Sequence, residues 1–276
     1  MLAGTGYLVD EDLATTVFLA DKLAKPILLE GPAGTGKTEL AKAVAQSTGS
    51  ELIRLQCYEG LDEARALYEW NYRKQLLRIQ SGADSEWNDL HDDIFSDEFL
   101  LTRPLLRAIR SEGPVVLLID ETDKADVEVE GLLLEVLSDF QVTIPELGTI
   151  SATSQPFVVL TSNATRELSE ALKRRCLYAH IDYPVASREI AIIRSRVPEV
   201  PPRIAESIVK TVNAMRAMDL RKPPSVAESI DWANALDSLG ITILTDQVVE
   251  KTLGVVIKNK SDELKVRDQL KLKGDS

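Results

Sequence analysis

Eight residues near the start of the chain, Gly31-Pro32-Ala33-Gly34-Thr35-Gly36-Lys37-Thr38, follow the spacing GxxxxGK[ST]. Glycines at these intervals let successive backbone N–H groups curl around an anion, and a helix starting at the same point adds its positive end. Chemistry of this kind holds nucleotide phosphates. Gly31 to Gly36 lend backbone, Lys37 bridges the β- and γ-phosphate oxygens, and Thr38 offers a hydroxyl to Mg²⁺. The context fits on both sides: the apolar run Pro-Ile-Leu-Leu-Glu ends at Glu30, and a helical pattern leaves from Glu39 to Ser47.

A second group follows at the end of the run Val115-Val-Leu-Leu-Ile119, which stops in two carboxylates, Asp120 and Glu121. At the end of a strand facing a phosphate crevice, Asp120 suits the magnesium shell and Glu121 suits a base that polarises water toward the γ-phosphate. A bare acidic pair also caps helices, so the upstream loop decides between the two. Asn163 closes the run Phe157-Val-Val-Leu-Thr-Ser and fits two roles, orienting the lytic water or turning the chain before Arg166. Arg174 and Arg175 lie in the basic knot Leu172-Lys-Arg-Arg-Cys176 of an otherwise acidic chain. They fit equally a helix end favoured by its dipole and a guanidinium that stabilises a neighbouring subunit's transferring phosphoryl group.

The elements that must position these groups are visible as five short apolar runs: Ile27 to Glu30, Leu52 to Gln56, Val115 to Ile119, Phe157 to Thr161 and Tyr178 to Ile181. They read as buried parallel strands with helices between them, one with the apolar face Leu40, Val44 and Ala45 and another with Leu132, Leu133, Val136 and Leu137. The fold class is therefore α/β, an αβα sandwich around a parallel sheet. Val-Thr-Ile, a Pro-Glu-Leu-Gly turn and Thr-Ile-Ser between Val142 and Ser151 predict an inserted hairpin. Beyond Pro184 only helical segments follow, at Ser187 to Val197, Arg203 to Met218, Ser225 to Leu239 and Asp246 to Asn259, with a charged helix or tail from Lys260. This predicts a nucleotide domain over 1–184, with its hairpin at 141–152, and a small all-helical domain over 185–276.

Composition narrows the partners. The chain has 276 residues, 44% of them apolar, and a net charge of −12, which repels nucleic acid and leaves proteins as the expected partners. Only two cysteines, Cys57 and Cys176, and two histidines are present, so neither a disulfide framework nor a histidine metal centre is expected. Both cysteines read as small core or near-core residues. No apolar run approaches the roughly 20 residues of a membrane span, and the start lacks the parts of a secretory signal, so the expected location is cytoplasmic. The acidic stretch from Gly82 to Glu98 reads as a solvated surface segment, because its spacing does not fit a calcium loop.

Taken together, the motifs resemble the AAA+ ATPases and, among them, the MoxR family. The resemblance rests on Glu30-Gly-Pro-Ala-Gly-Thr-Gly-Lys-Thr38, Asp120-Glu-Thr-Asp-Lys-Ala125, Gln141-Val-Thr-Ile144, Thr161-Ser-Asn163 and Leu168-Ser-Glu-Ala-Leu-Lys-Arg-Arg175. Phe99-Leu-Leu-Thr-Arg-Pro-Leu-Leu106, Ile144-Pro-Glu-Leu-Gly-Thr-Ile150, Arg174-Arg-Cys-Leu-Tyr178 and Lys222-Pro-Pro-Ser-Val-Ala-Glu-Ser-Ile-Asp-Trp232 resemble its CoxD-like branch. It spans the chain from about Tyr7 to about Asp262.

The resemblance implies an AAA+ αβα sandwich with five strands in the order 5-1-4-3-2, a helical lid, an insertion at helix 2 within about 60–100, and ATP with Mg²⁺ as cofactors. It implies a homo-oligomeric ring, usually a hexamer, and an ATP-driven chaperone role in metalloenzyme maturation, of the molybdenum and copper carbon monoxide dehydrogenase type. A partner with a von Willebrand factor A domain goes with this role. Arg175 aligns with the family's finger, with Arg174 in reserve. The lid arginine of many relatives has no clean counterpart at Pro224-Ser-Val-Ala-Glu228. Arg221, just upstream, fits that cofactor-binding role and a plain surface role equally. Tyr58-Glu-Gly60 fits a simple turn better than an aromatic pore loop. Two other functions use the same cradle, a nucleotide-gated binding switch and a restriction-type NTPase. A P-loop kinase also uses it, but leaves the helical region and the basic knot unexplained.

Overall fold

A computed structural model describes residues 2–81 and 93–270. The chain divides into two units: one holds the residues up to Glu30 and from Lys37 to His180, the other Gly31–Gly36 and everything from Ile181 onward.

The first unit is built on five parallel strands, β1 (Ile27–Glu30), β2 (Glu51–Gln56), β5 (Val115–Asp120), β8 (Phe157–Ser162) and β9 (Leu177–His180). Their order is β2-β5-β8-β1-β9. Counted along the chain this is the expected 5-1-4-3-2. The three inner strands, β1, β5 and β8, read as continuous apolar runs because both faces are covered. Leu28, Leu117, Ile119, Val158 and Leu160 join one cluster with Leu105, Leu106 and Ile109 of α5 (Pro104–Arg110) and with Leu133 and Val136 of α6 (Val127–Asp139). The alternating Ile27, Leu29, Val116, Leu118 and Val159 are buried on the other face. α2 (Lys37–Thr48) packs against β5 and brings the buried Leu40, Ala41 and Val44. α1 (Glu11–Leu23) starts at Asp10, whose carboxylate accepts the Leu13 N–H, and packs on β1 and β9.

Between β2 and β5 lie a short α3 (Glu63–Ala66), β3 (Tyr68–Trp70), α4 (Tyr72–Ser81) and β4 (Leu100–Thr102), with β3 and β4 antiparallel. Of the acidic stretch, 82–92 lie outside the described residues. Asp93, Asp97 and Glu98 pair at the surface with Arg78, Arg110 and Lys74. The expected hairpin is present as β6 (Gln141–Ile144) and β7 (Gly148–Ser151), with Gly148 at φ +79° in the connecting turn. α7 (Glu170–Arg175) begins after Ser169, whose hydroxyl caps it by accepting the Leu172 N–H. The fifth strand begins one residue earlier than expected, because the Leu177 N–H bonds the Pro26 carbonyl at 2.8 Å.

The second unit is helical apart from Gly31–Gly36: α8 (Ala186–Arg196), α9 (Pro202–Arg216), α10 (Val226–Ser238), α11 (Asp246–Val256) and α12 (Lys260–Gln269). Ile193, Ile208, Val212, Met215, Trp232, Leu236 and Leu253 form its core. Trp232 donates its indole N–H to Thr252 at 2.8 Å, so no buried donor is stranded there. α11 stops before Asn259, which instead caps α12 by accepting the Asp262 N–H. Among the described residues no helix is long and apolar enough to cross a membrane.

Candidate active site

Lys37, Thr38, Asp120, Glu121 and Asn163 sit where a strand of the sheet ends or a helix begins. The phosphate loop starts after β1. Gly31, Gly34 and Gly36 have φ of +151°, +72° and +97°, in the region where side chains are strained. At two of them space is also exhausted: a Cβ on Gly31 would stand 2.0 Å from the Ile181 carbonyl oxygen, and one on Gly34 would stand 2.1 Å from the Ser225 hydroxyl. Thr35 turns inward on the loop, donating its hydroxyl to the Pro32 carbonyl at 2.9 Å. Residues with side chains at both close contacts would open the curl.

Lys37 opens α2 and is buried. Burial pushes its ammonium below the usual lysine range, partly offset by the negative charges of Asp123, Asp120 and Glu121. Next to it, the Thr38 hydroxyl donates to Asp120 Oδ1 at 3.1 Å. Asp120 is buried at the end of β5, and Thr161 from β8 donates to the same oxygen at 2.5 Å. The neighbouring strand register makes this contact: Ile119 lies opposite Leu160, so Asp120 lies beside Thr161. The Thr161 hydroxyl in turn accepts the Glu121 N–H at 2.9 Å.

Glu121 is left-handed, at φ +57° and ψ +47°. A non-glycine residue in that region is uncommon and concentrates at functional turns. The turn brings its carboxylate to Gln56 Nε2 at 2.9 Å and to Lys124 Nζ at 2.6 Å. Gln56 ends β2, opposite Asp120, and its side-chain oxygen also takes a hydrogen bond from Arg54. Arg54 forms an ion pair with Asp120 Oδ2 at 2.5 Å. One strand edge thus contacts both carboxylates.

Asn163 follows β8, half-buried, and its backbone N–H donates to Asp123 Oδ1 at 3.1 Å. Asp123 also accepts the N–H of Thr165 at 3.1 Å and its hydroxyl at 2.5 Å. Burial raises this carboxyl, but the Thr165 hydroxyl and the two N–H groups outweigh it and hold Asp123 below the ordinary carboxylate range. Asp123 therefore ties the segment carrying Asn163 to the turn after β5.

Arg174 and Arg175 lie exposed in the last turn of α7, and among the described residues neither guanidinium has a hydrogen-bond or ion-pair partner. Arg221 is exposed in the helical unit, with its backbone N–H on Asp262 at 3.0 Å. At Tyr58-Glu-Gly60 the chain turns, with Gly60 at φ +80° and Tyr58 taking a hydrogen bond from Arg65. Cys57 is buried and Cys176 half-buried, and burial pushes both thiols up to about 12.

Lys37, Thr38, Asp120 and Glu121 are thus brought together, with Asn163 joined to them through Asp123. Sequence reasoning missed Arg54, Gln56 and Thr161. Polar residues interrupting an apolar run at its crevice end were the available signal, readable only once the strand order is known.

The donor set fits Mg²⁺ with a nucleotide. Thr38 and Asp120 offer hard oxygens side by side, and magnesium keeps few protein ligands, taking the rest from phosphate and water. Among the described residues no three His, Cys, Asp or Glu side chains form a cage of their own.

The family model described as "ATPase family associated with various cellular activities (AAA)" matches residues 27–184. "Uncharacterized protein SH1500" of Staphylococcus haemolyticus (strain JCSC1435) is 25% identical, covering 95% of this chain and 96% of its own. "Uncharacterized protein SAOUHSC_01413" of Staphylococcus aureus (strain NCTC 8325 / PS 47) is 27% identical, with 87% and 86% covered. Among solved structures, a point mutant of Thermotoga maritima RuvB has a TM-score of 0.51 at 20% identity, covering 95% of this chain and 76% of that one. That likeness is one of fold.

Proposed function

The chain belongs to the ATPase family associated with various cellular activities (AAA), hydrolysing ATP with Mg²⁺, and on that footing we propose that it is a remodelling ATPase acting on a protein client. The observation that carries this reading is Glu121: a second carboxylate beside Asp120, turned out by a left-handed backbone and held by side chains rather than buried.

In this reading Gly31 to Gly36 and Lys37 hold the phosphates, while Thr38 and Asp120 hold Mg²⁺. When bound, that ion neutralises charge on the β- and γ-phosphate oxygens. Glu121 takes a proton from the attacking water as its oxygen bonds to the γ-phosphorus and the bond to the β–γ bridging oxygen breaks, releasing ADP and phosphate. Asn163 orients that water. Arg175, with Arg174 in reserve, reaches the γ-phosphate of a neighbouring copy, which suits their unpaired exposure. Arg221 serves the nucleotide in place of the lid arginine. The nucleotide domain runs over 1–184 and the lid over 185–276.

The motif resemblance points to the MoxR family and its CoxD-like branch. It carries the further proposals of a hexameric ring in the cytoplasm, a von Willebrand factor A domain partner, and a client of the molybdenum and copper metalloenzyme class. AAA proteins are generally oligomeric.

A second reading, a nucleotide-gated switch, is favoured by the grip of Gln56 and Lys124 on Glu121. Phosphate release decides between the two. Wild type is expected to turn over repeatedly, faster when the von Willebrand factor A partner is added. Glu121→Gln is expected to keep ATP and Mg²⁺ but slow hydrolysis by about a hundredfold or more. Lys37→Ala is expected to lose ATP at micromolar concentration. A single stoichiometric release insensitive to the partner establishes the switch instead, and normal turnover by Glu121→Gln removes that residue from its role.

A further inference from the structure

Asp120 presents an electrostatic problem of its own. Its side chain is only 4% exposed, and a buried carboxylate is costly unless a positive charge accompanies it. Thr38 and Thr161 give it hydroxyl hydrogen bonds but no charge, and the nearby Lys37 ammonium is shared with Asp123 and Glu121. Arg54 gives a full one, through a guanidinium nitrogen 2.5 Å from Oδ2, in the short range of charge-assisted bonds.

The sheet explains how it gets there. Ile53 and Leu55 of β2 face the core, so Arg54 and Gln56 share the opposite face, two residues apart. Gln56 lies opposite Asp120 and its oxygen steadies the same guanidinium nitrogen. Yet β2 is the sheet's edge, and the Arg54 side chain remains 52% exposed. It therefore has water to move into. A dication on the same carboxylate and a guanidinium at hydrogen-bond distance repel one another strongly at such short range.

We infer that Arg54 is a removable counter-cation of Asp120, neutralising it and giving way when Mg²⁺ arrives. This rests on the assignment of Asp120 to the magnesium shell. It makes Arg54 a positioning residue that sets how much Mg²⁺ the site requires, because displacing it subtracts from the binding free energy of the ion. The same displacement hands charge back to the exposed edge of the sheet. Nucleotide loading is thereby linked to β2.

The test uses the full chain and a fluorescent, slowly hydrolysed ATP analogue at fixed concentration, with MgCl₂ titrated. In Arg54→Gln the Mg²⁺ concentration at half-maximal binding is expected to fall about tenfold, within the usual range of such couplings. Arg54→Lys, which keeps the charge, stays within about twofold of wild type. Without ligand Arg54→Gln melts below wild type, and saturating Mg²⁺ with the analogue closes that gap. In wild type, modification of Arg54 by phenylglyoxal, mapped by peptide, is expected to quicken when Mg²⁺ and the analogue are both present; this arm needs no variant to fold. A midpoint unchanged or raised in Arg54→Gln, a melting gap indifferent to ligand, or an unchanged modification rate overturns the inference and leaves an ordinary surface ion pair. Wild type that binds no analogue at any Mg²⁺ concentration instead overturns the site assignment itself.

Discussion

At the scale of single residues, the site depends on carboxylates whose charge the fold has already placed. Asp123 shows this most directly, because it takes three hydrogen bonds from the segment after β8 and is buried beneath them. Replacing it by Asn puts donors where acceptors are needed, at a cost of about 2 kcal/mol. The sign with pH follows from its depressed folded-state value. A carboxyl held down by folding contributes stability above its unfolded value, and that contribution is lost as pH falls through the lower folded one. Melting curves should therefore separate wild type from Asp123→Asn fully at neutral pH. The two should converge as pH drops below the ordinary carboxylate range. A separation that is the same at all pH values means the charge of Asp123 is not what folding uses.

At the scale of elements, the phosphate loop and the ends of the strands have opposite requirements. The loop must be bare backbone, as Gly34 illustrates: its φ of +72° is strained for any side chain, and a methyl group there meets Ser225. Ser225 is not free to yield, because it caps α10 and is held by Glu228 in a capping box. Gly34→Ala should cost about 2–3 kcal/mol and abolish nucleotide binding, since strain and clash add. Gly131→Ala makes the internal contrast. It lies in α6 with open space around it, so alanine should raise the melting temperature through helix propensity, worth about 1 kcal/mol. Equal effects of the two substitutions, measured by calorimetry and nucleotide titration, refute this account of the loop. The strand ends, by contrast, need side chains of chosen polarity. α6 shows how they are braced: its buried Glu130 accepts the Ser169 N–H at 3.0 Å and Arg166 at 2.5 Å, fixing the lead into α7.

At the scale of the whole molecule, the proposed ring turns on two arginines that find no partner within the described chain. Both guanidiniums lie exposed at the end of α7, open to a neighbouring copy. If Arg175 completes a neighbour's site, hydrolysis should rise more steeply than linearly with protein concentration, and Arg175→Ala should lower turnover by about 10³-fold without loss of bound ATP. Mixing Arg175→Ala with Lys37→Ala subunits then restores part of the activity, because some interfaces join an intact loop to an intact arginine. If native mass spectrometry shows mixed rings and they stay inactive, the basic knot is a helix end stabilised by its dipole.

The glycine-spaced loop, the paired acids, the strand segments and the hairpin were legible in the residues alone, because each is marked by residues close in sequence. Glycine spacing sets a backbone curl over eight residues. Apolar runs of four to six identify strands buried on both faces, and Pro-Glu-Leu-Gly marks its own turn. What the sequence left open belongs to groups distant along the chain. Thr161 reaches Asp120 across 41 positions and Arg54 reaches it across 66, contacts created only when β8 and β2 settle on either side of β5. The left-handed turn at Glu121 is likewise invisible in its residue type, since glutamate has no preference for that conformation; the surrounding hydrogen bonds impose it. Local spacing determined which chemistry the chain is able to perform. The lateral register of strands, set by burial over the whole sheet, decided which side chains hold the paired carboxylates in place.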